Sequence, residues 1–294
     1  MTERHDGRAS NETRAIEVSF DGLTRVDGSA RFGFGTKTAC LVSISGPIEA
    51  RLASENPSKA TFEVHLFPLS GISATDSRAL AASIRAALTP SLILTHNPRT
   101  LIQFVGQSLT PSLLLASHTS AGQTNWDDAL AAALINAGTL ALLNAGSIPM
   151  RGTIWAVSVG LTTSGNIIID PDENELHDLV ASGCYAFMFA DRVSGNDKVV
   201  PDIQCVWTNW RNIPSSIPNI RRMKEEDVRQ ARELASAAAK EIGNVMKTQI
   251  VKMGKKQQPR IPPPPSTTLN LDVQAHANEL HDTNMEVDDD KMEI

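Results

Sequence analysis

The densest apolar stretch of the chain runs from Ala129 to Ala145, where alanine recurs at 129, 133, 137, 141 and 145 among leucines and an isoleucine. Small side chains four residues apart spiral along a helix and let its backbone lie close to a sheet. The segment predicts a long core helix, with Asp127 or Asp128 as its N-cap and Gly146 with Pro149 ending it. Short β-branched runs follow at residues 154–159 and 166–169 and read as strands. Further strands are predicted at residues 16–20, 39–44, 61–67, 113–117, 184–189 and 205–207. A second helix is predicted after Asp76 as its cap, with Leu80, Ile84, Ala87 and Leu88 on one face and Pro90 as its stop. Residues 99–105 read as the start of another helix. Residues 224–250 are strong helix formers, with Val228, Ala231, Leu234, Ala235, Ala238 and Ile242 forming an apolar stripe. Hairpins followed by helices packed on a sheet give the class α+β.

Around this pattern the chain divides into three parts. Residues 1–13 are polar and read as a flexible N-terminus, and residues 14–250 as one globular domain. Residues 251–294 read as a disordered tail: basic around Lys252 and Lys256, then Pro262 to Pro265, then acidic at Asp288 to Asp290. The basic stretch is either a solvated linker or a nuclear-import or RNA-contacting segment. Within the domain, residues 207–222 read as an inserted surface loop. Its Trp207, Trp210 and Arg211 suit either packing and subunit contact or base stacking on RNA.

Composition narrows the chemistry. With 294 residues and 41% hydrophobic content, the chain can bury a sizeable core. Cys40, Cys184 and Cys205 are scattered among apolar neighbours and read as core thiols. No C-x-x-C or H-E-x-x-H pattern occurs and the seven histidines are dispersed, so neither a metal site nor a cofactor is expected. No segment approaches the ~20 apolar residues of a membrane helix, and no apolar run opens the chain, which predicts a soluble, unsecreted protein. Gly35, Thr36, Lys37 and Thr38 do not form a nucleotide-binding loop, because Thr36 separates the lysine from its glycine. A net charge of −6 makes overall electrostatics a poor means of holding RNA, so any RNA contact must be local or shared with partners.

The order of elements carries more. Asn144-Ala145-Gly146 followed by Ile148-Pro149-Met150, then Ala156-Val157-Ser158-Val159-Gly160-Leu161, resembles the ribonuclease PH family. So does the opening segment from Val26 through Asp27-Gly28-Ser29 to Gly46-Pro47. The resemblance covers roughly residues 13 to 250 and leans toward the ring subunits of the eukaryotic RNA exosome. It implies the fold of the second domain of ribosomal protein S5.

Phosphorolysis drives one anion against another. It needs cationic or N–H donors around the attacking phosphate, and carboxylates to place a metal ion or a proton. The resemblance implies a Gly-Thr-Arg-Thr clamp ahead of the alanine-rich helix, where this chain has Thr124-Asn125-Trp126-Asp127-Asp128, and two carboxylates there would repel phosphate. It implies two aspartates six positions apart, of which Asp170 is present and the second falls on Leu176. It also implies two arginines one helical turn apart, whereas Arg78 and Arg85 are separated by seven positions.

Two readings follow. The first has no catalytic residues. It is a silent ring subunit of the exosome, assembled with other ribonuclease PH-like ring subunits, cap subunits and a separate nuclease, that guides single-stranded RNA in 3′-to-5′ processing and degradation. Arg51 and Lys59 are its channel candidates. Nucleus, nucleolus and cytoplasm are its expected locations. The second is an active phosphate-dependent 3′-to-5′ exoribonuclease using Asp170, Glu175 and Arg85 with a metal ion, Glu175 replacing the missing acid through a one-residue slip.

Overall fold

The computed structural model describes residues 4, 6–20, 23–70, 72–111, 127–193, 199–213 and 223–257. Met1–Val251 forms one compact unit; of the unit from Lys252 onward only the residues through Gln257 are described. In chain order the first elements are β1 (Ile16–Ser19), β2 (Gly28–Phe34), β3 (Thr38–Glu49), β4 (Thr61–Phe67), α1 (Thr75–Leu88) and β5 (Thr100–Ser108). Then follow α2 (Asp128–Ala145), β6 (Thr153–Thr162), β7 (Ile167–Ile169), β8 (Leu179–Val193), β9 (Val199–Thr208), β10 (Arg211–Asn212) and α3 (Glu225–Gln257). The first five strands form a sheet in the order β1-β2-β3-β5-β4. Its pairings are antiparallel except for β4 against β5, which are parallel and joined across α1. The second sheet is built on β8, with β6 and then β7 on one edge and β9 and β10 on the other.

Helix α2 packs against β2 and β3 of the first sheet and β6 and β8 of the second. The alanine spacing is what permits this. A Cβ added at Gly28 would lie 2.3 Å from the Ala141 carbonyl oxygen and 2.5 Å from the Ala145 nitrogen, so β2 passes directly against the helix backbone. The helix is long and apolar enough to cross a membrane, contrary to the expectation that no segment comes near that, but 78% of it is buried inside the protein. Its Asn136, fully buried, completes the second sheet. The side-chain amide donates to the Ala156 carbonyl at 2.9 Å and accepts from the Ala156 N–H at 2.7 Å, standing in for a neighbouring strand along β6. Thr139 does the same for the Ile154 carbonyl at 2.8 Å. On α3, Ala231, Ala235, Ala238, Ala239, Ile242 and Met246 join the core, and Gly243 lies against Trp155.

Several expectations change. Residues 99–105 belong to strand β5, not to a helix. Ile102, Phe104, Gly106 and Ser108 are buried at every second position of a strand paired on both edges, a period-2 pattern that two sheet neighbours impose. Asp76 does not cap α1: Ala74 holds that position without a side-chain bond, and Asp76 lies in the first turn, where its charge complements the helix N-terminus. Pro90 ends α1 by initiating a 3-10 turn over Thr89–Ser91. Residues 207–208 and 211–212 are strand and not loop, since β9 runs to Thr208 and β10 pairs Arg211 with Ser182. The strand expected at 113–117, residues 214–222 and the tail beyond Gln257 lie outside the described residues.

Candidate functional site

Asp170 follows directly on β7, with its backbone in the left-handed region at φ 50°, which aspartate tolerates better than most residues. Its N–H donates to the Ser158 carbonyl at 2.8 Å, fixing the turn to β6. The side chain is fully buried and paired with arginine. Arg14 donates Nη2 to Oδ1 at 2.6 Å and Nε to Oδ2 at 2.8 Å, and its backbone N–H adds a third bond to Oδ2 at 2.9 Å. Arg8 Nη1 approaches Oδ2 at 3.5 Å. Two-pronged pairing of this kind is the strongest arrangement available to a carboxylate. Burial alone would lower the Arg14 guanidinium, but the hydrogen bonds and charge of Asp170 outweigh it and hold it above its ordinary value.

Glu175 lies on a 3-10 turn, Glu173–Asp178, where it closes a capping box with Asp172 by accepting that residue's N–H at 2.8 Å. Its carboxylate also accepts two bonds from Arg4, Nε to Oε1 at 2.8 Å and Nη2 to Oε2 at 2.7 Å. Arg4 is itself buried, and spends its remaining N–H groups on the carbonyls of Ile169 and Asp170 at 2.9 Å each. Burial by itself would push the Glu175 carboxyl up, yet Arg4, the Asp172 N–H and the charge of Arg8 hold it below its ordinary 4.5. Lys37, on the turn between β2 and β3, reaches Asp172 at 3.1 Å. The described residues of the N-terminal segment, 4 and 6–14, are therefore bonded to the fold. Its arginines find their counter-charges at residues 170–175, which only the folded chain brings near.

At the N-terminus of α2 the two adjacent carboxylates separate in role. Asp127 is the cap, accepting from the Leu130 N–H at 3.0 Å, and burial pushes its carboxyl above the ordinary range. Asp128 faces inward and accepts from Ser182 Oγ at 2.7 Å, Asn209 Nδ2 at 2.9 Å and Arg211 Nη1 at 3.0 Å. Arg211 is thus an internal partner of α2. Trp210 packs over Gly183 and beside Tyr185, ring centroids 5.7 Å apart, and its indole N–H is directed at the Met223 sulfur. Trp207 is half-buried against the core. Trp210 and Arg211 thus both make contacts within the chain.

Thr124, Asn125 and Trp126, at the expected position of the phosphate clamp, lie outside the described residues. Arg78 and Arg85 are both exposed on α1, and Leu176 is partly exposed on the 3-10 turn. Arg51 and Lys59 are exposed on the connection from β3 to β4, away from the carboxylates. Among the described residues, no three His, Cys, Asp or Glu side chains are grouped so as to hold a metal ion. The reading of residue spacing missed Arg4, Arg8, Arg14 and Lys37. The one available signal was three arginines within the first fourteen positions of a segment otherwise short of them.

The profile of the 3′ exoribonuclease family (RNase PH), domain 1, matches residues 12–147. The chain is 28% identical over 253 residues to the exosome complex exonuclease RRP46 homolog of Oryza sativa, covering 85% of this chain and 96% of the relative. It is 29% identical over 165 residues to the exosome complex component RRP46 of Saccharomyces cerevisiae, covering 55% and 69%. The crystal structure of rice Rrp46 superposes with a TM-score of 0.65 at 24% identity, covering 84% of this chain and 99% of that one. An archaeal exosome core gives 0.57 at 17% identity, covering 83% and 91%. Hairpin, alanine-rich helix and following strands thus have the expected order and the expected ribonuclease PH-like fold, and residues 12–147 match the first domain of the ribonuclease PH family.

Proposed function

We propose that this protein is a non-catalytic ring subunit of an RNA exosome, supporting 3′-to-5′ RNA processing and degradation by helping to form the channel through which single-stranded RNA is threaded. It assembles with related ring subunits and cap subunits and delivers RNA to a separate nuclease, in the nucleus and nucleolus and in the cytoplasm. The similarity to RRP46 proteins over most of the chain supports the assembly. One observation carries the silence: the Asp170 carboxylate is fully buried and gripped by Arg14, while Glu175 is bound by Arg4. A carboxylate held in a two-pronged pair with a guanidinium group must give up that partner before it can take a metal ion or a proton in transit.

The active alternative built on Asp170, Glu175 and Arg85 would require breaking both pairs, with Arg85 exposed on α1. The full chain, incubated with single-stranded RNA, inorganic phosphate and Mg²⁺, is expected to release no nucleoside diphosphates. Their release, and its loss on Asp170→Asn, would establish the active enzyme instead.

A further inference from the structure

The second sheet ends on a short strand, β7, which pairs with β6 on one side and has no strand on the other. Such an edge presents backbone N–H and C=O groups as a template for any further strand. In an antiparallel pair, successive residues turn these groups alternately toward the partner and away from it. The Asp170 N–H bonds the Ser158 carbonyl of β6, which fixes the alternation: Ile168 faces β6, while Ile167 and Ile169 turn their backbone groups outward. Ile167, Ile168 and Ile169 are only 6%, 5% and 0% exposed, so this edge is not open to solvent.

Its cover is the start of the chain. The Ile169 N–H donates to the Ser10 carbonyl at 2.8 Å, and the Ile169 carbonyl accepts from Arg4 Nη1 at 2.9 Å, so both outward groups of Ile169 are taken. The next carbonyl, that of Asp170, accepts from Arg4 Nη2 at 2.9 Å and from Arg8 Nη2 at 3.3 Å. Arg4 also holds the cover together, since its Nη1 reaches the Glu12 carbonyl at 3.2 Å. Two turns shape the backbone around it, closed by the Gly7 N–H on the Arg4 carbonyl at 2.9 Å and the Glu12 N–H on the Ala9 carbonyl at 3.1 Å. Residues 4 and 6–12 form no strand, so they satisfy the edge without offering a new one on which the sheet could continue.

What the cover excludes follows from the geometry of β7, which is complementary to itself. In two copies meeting antiparallel about Ile168, the N–H and C=O of Ile167 would face those of Ile169 in the other copy, and the two strands would exchange a full set of ladder bonds. The cover takes both groups of Ile169 that such pairing needs. We infer that residues 4–12 are an edge guard, lying along the outer side of β7 and preventing it from pairing with β7 of a second copy of this chain. Arginine is the recognition element, because one planar fork of donors bonds the carbonyls of the edge and the Glu175 carboxylate together. The inference goes beyond the exosome reading and does not depend on it.

The test uses the full chain carrying Arg4→Ala and Arg8→Ala, which removes the guanidinium bonds to the edge and leaves Arg14 on Asp170. Analytical ultracentrifugation over a concentration series should show this variant associating to a larger species than the wild type forms at the same concentration. A fluorescein-labelled peptide of residues 1–14, followed by anisotropy, should bind the variant on the order of tenfold or more tightly than the wild type, whose site is already filled in cis. Saturating unlabelled peptide should return the variant to the wild-type mass. The same peptide with both arginines replaced by alanine should do neither. Where circular dichroism shows the double variant unfolded, Arg8→Ala with Glu175→Gln takes its place: it loosens the guard while Arg4 keeps its two carbonyls, and should show the same association and peptide binding to a smaller extent. A folded variant that keeps the wild-type mass at every concentration overturns the inference, and so does association that the peptide fails to reverse. Equal peptide binding to variant and wild type also overturns it, since the edge would then not be occupied by the chain's own start.

Discussion

Arg14 holds Asp170 through three hydrogen bonds of 2.6 to 2.9 Å, two from the guanidinium and one from the backbone N–H, on a carboxylate with no exposure to solvent. Removing one partner of such a pair leaves a buried charge uncompensated. Arg14→Met should therefore destabilise the fold by about 3–5 kcal/mol in chemical denaturation. Asn at 170 still tolerates the left-handed backbone and is neutral, so adding Asp170→Asn to Arg14→Met should recover part of that loss. Strict additivity of the two substitutions would show that the pair is not coupled.

The Arg4–Glu175 pair gives the N-terminal segment a dependence on acid. The Glu175 carboxyl lies below its ordinary 4.5 in the folded protein, so the stabilisation it supplies is complete above that value and is lost as the pH falls through its lowered folded value. Limited proteolysis with an acid-tolerant protease such as pepsin should then find the segment from residue 6 to residue 14 protected near pH 5 and increasingly cut as the pH falls below the ordinary 4.5 and through the lowered value. Glu175→Gln should make it susceptible already at pH 5. Equal protection of the two proteins would argue that the backbone bonds of Arg4 suffice alone.

Asn136 predicts a large effect far from any charge. Asn136→Ala strands the N–H and C=O of Ala156 in the core, and should cost about 2–4 kcal/mol as judged by thermal or urea unfolding. Asn136→Asp, which turns a carboxylate oxygen toward that carbonyl, should be worse than Asn136→Ala at neutral pH.

Gly28→Ala should be disruptive although it adds one methyl group, because the Cβ would fall 2.3 Å from the Ala141 carbonyl oxygen. Overpacking against backbone cannot be relieved by a rotamer change, and about 1–3 kcal/mol is expected in the same assay.

These residues also show where sequence reading succeeds. The alanine spacing in α2 is a local regularity with one physical solution, and the close passage of Gly28 realises it. Strands β6 and β7 of the second sheet were legible for the same reason, each a short apolar run bounded by turn formers, whereas only the apolar parts of β8 and β9 were, and β10 lies in a segment read as loop. The helix expected at 99–105 failed because Leu101, Ile102, Phe104 and Val105 are apolar residues on which a short helix and a doubly paired strand make equal demands. Only the neighbours β3 and β4 decide between them. The carboxylate cluster was half legible. Asp170 and Glu175 were singled out, whereas Arg4 and Arg14 were not, since nothing in a local window announces a partner more than 150 positions away.

That separation sets an order of events during synthesis. Arg4 and Glu175 are 171 positions apart, so at translation rates of roughly 5–20 residues per second the arginine waits on the order of ten to thirty seconds for its acid to be made. The beginning of the chain must stay uncommitted while the first sheet forms beside it. It finds its place only once β7 and the turn after it exist, so the first residues made are among the last to settle.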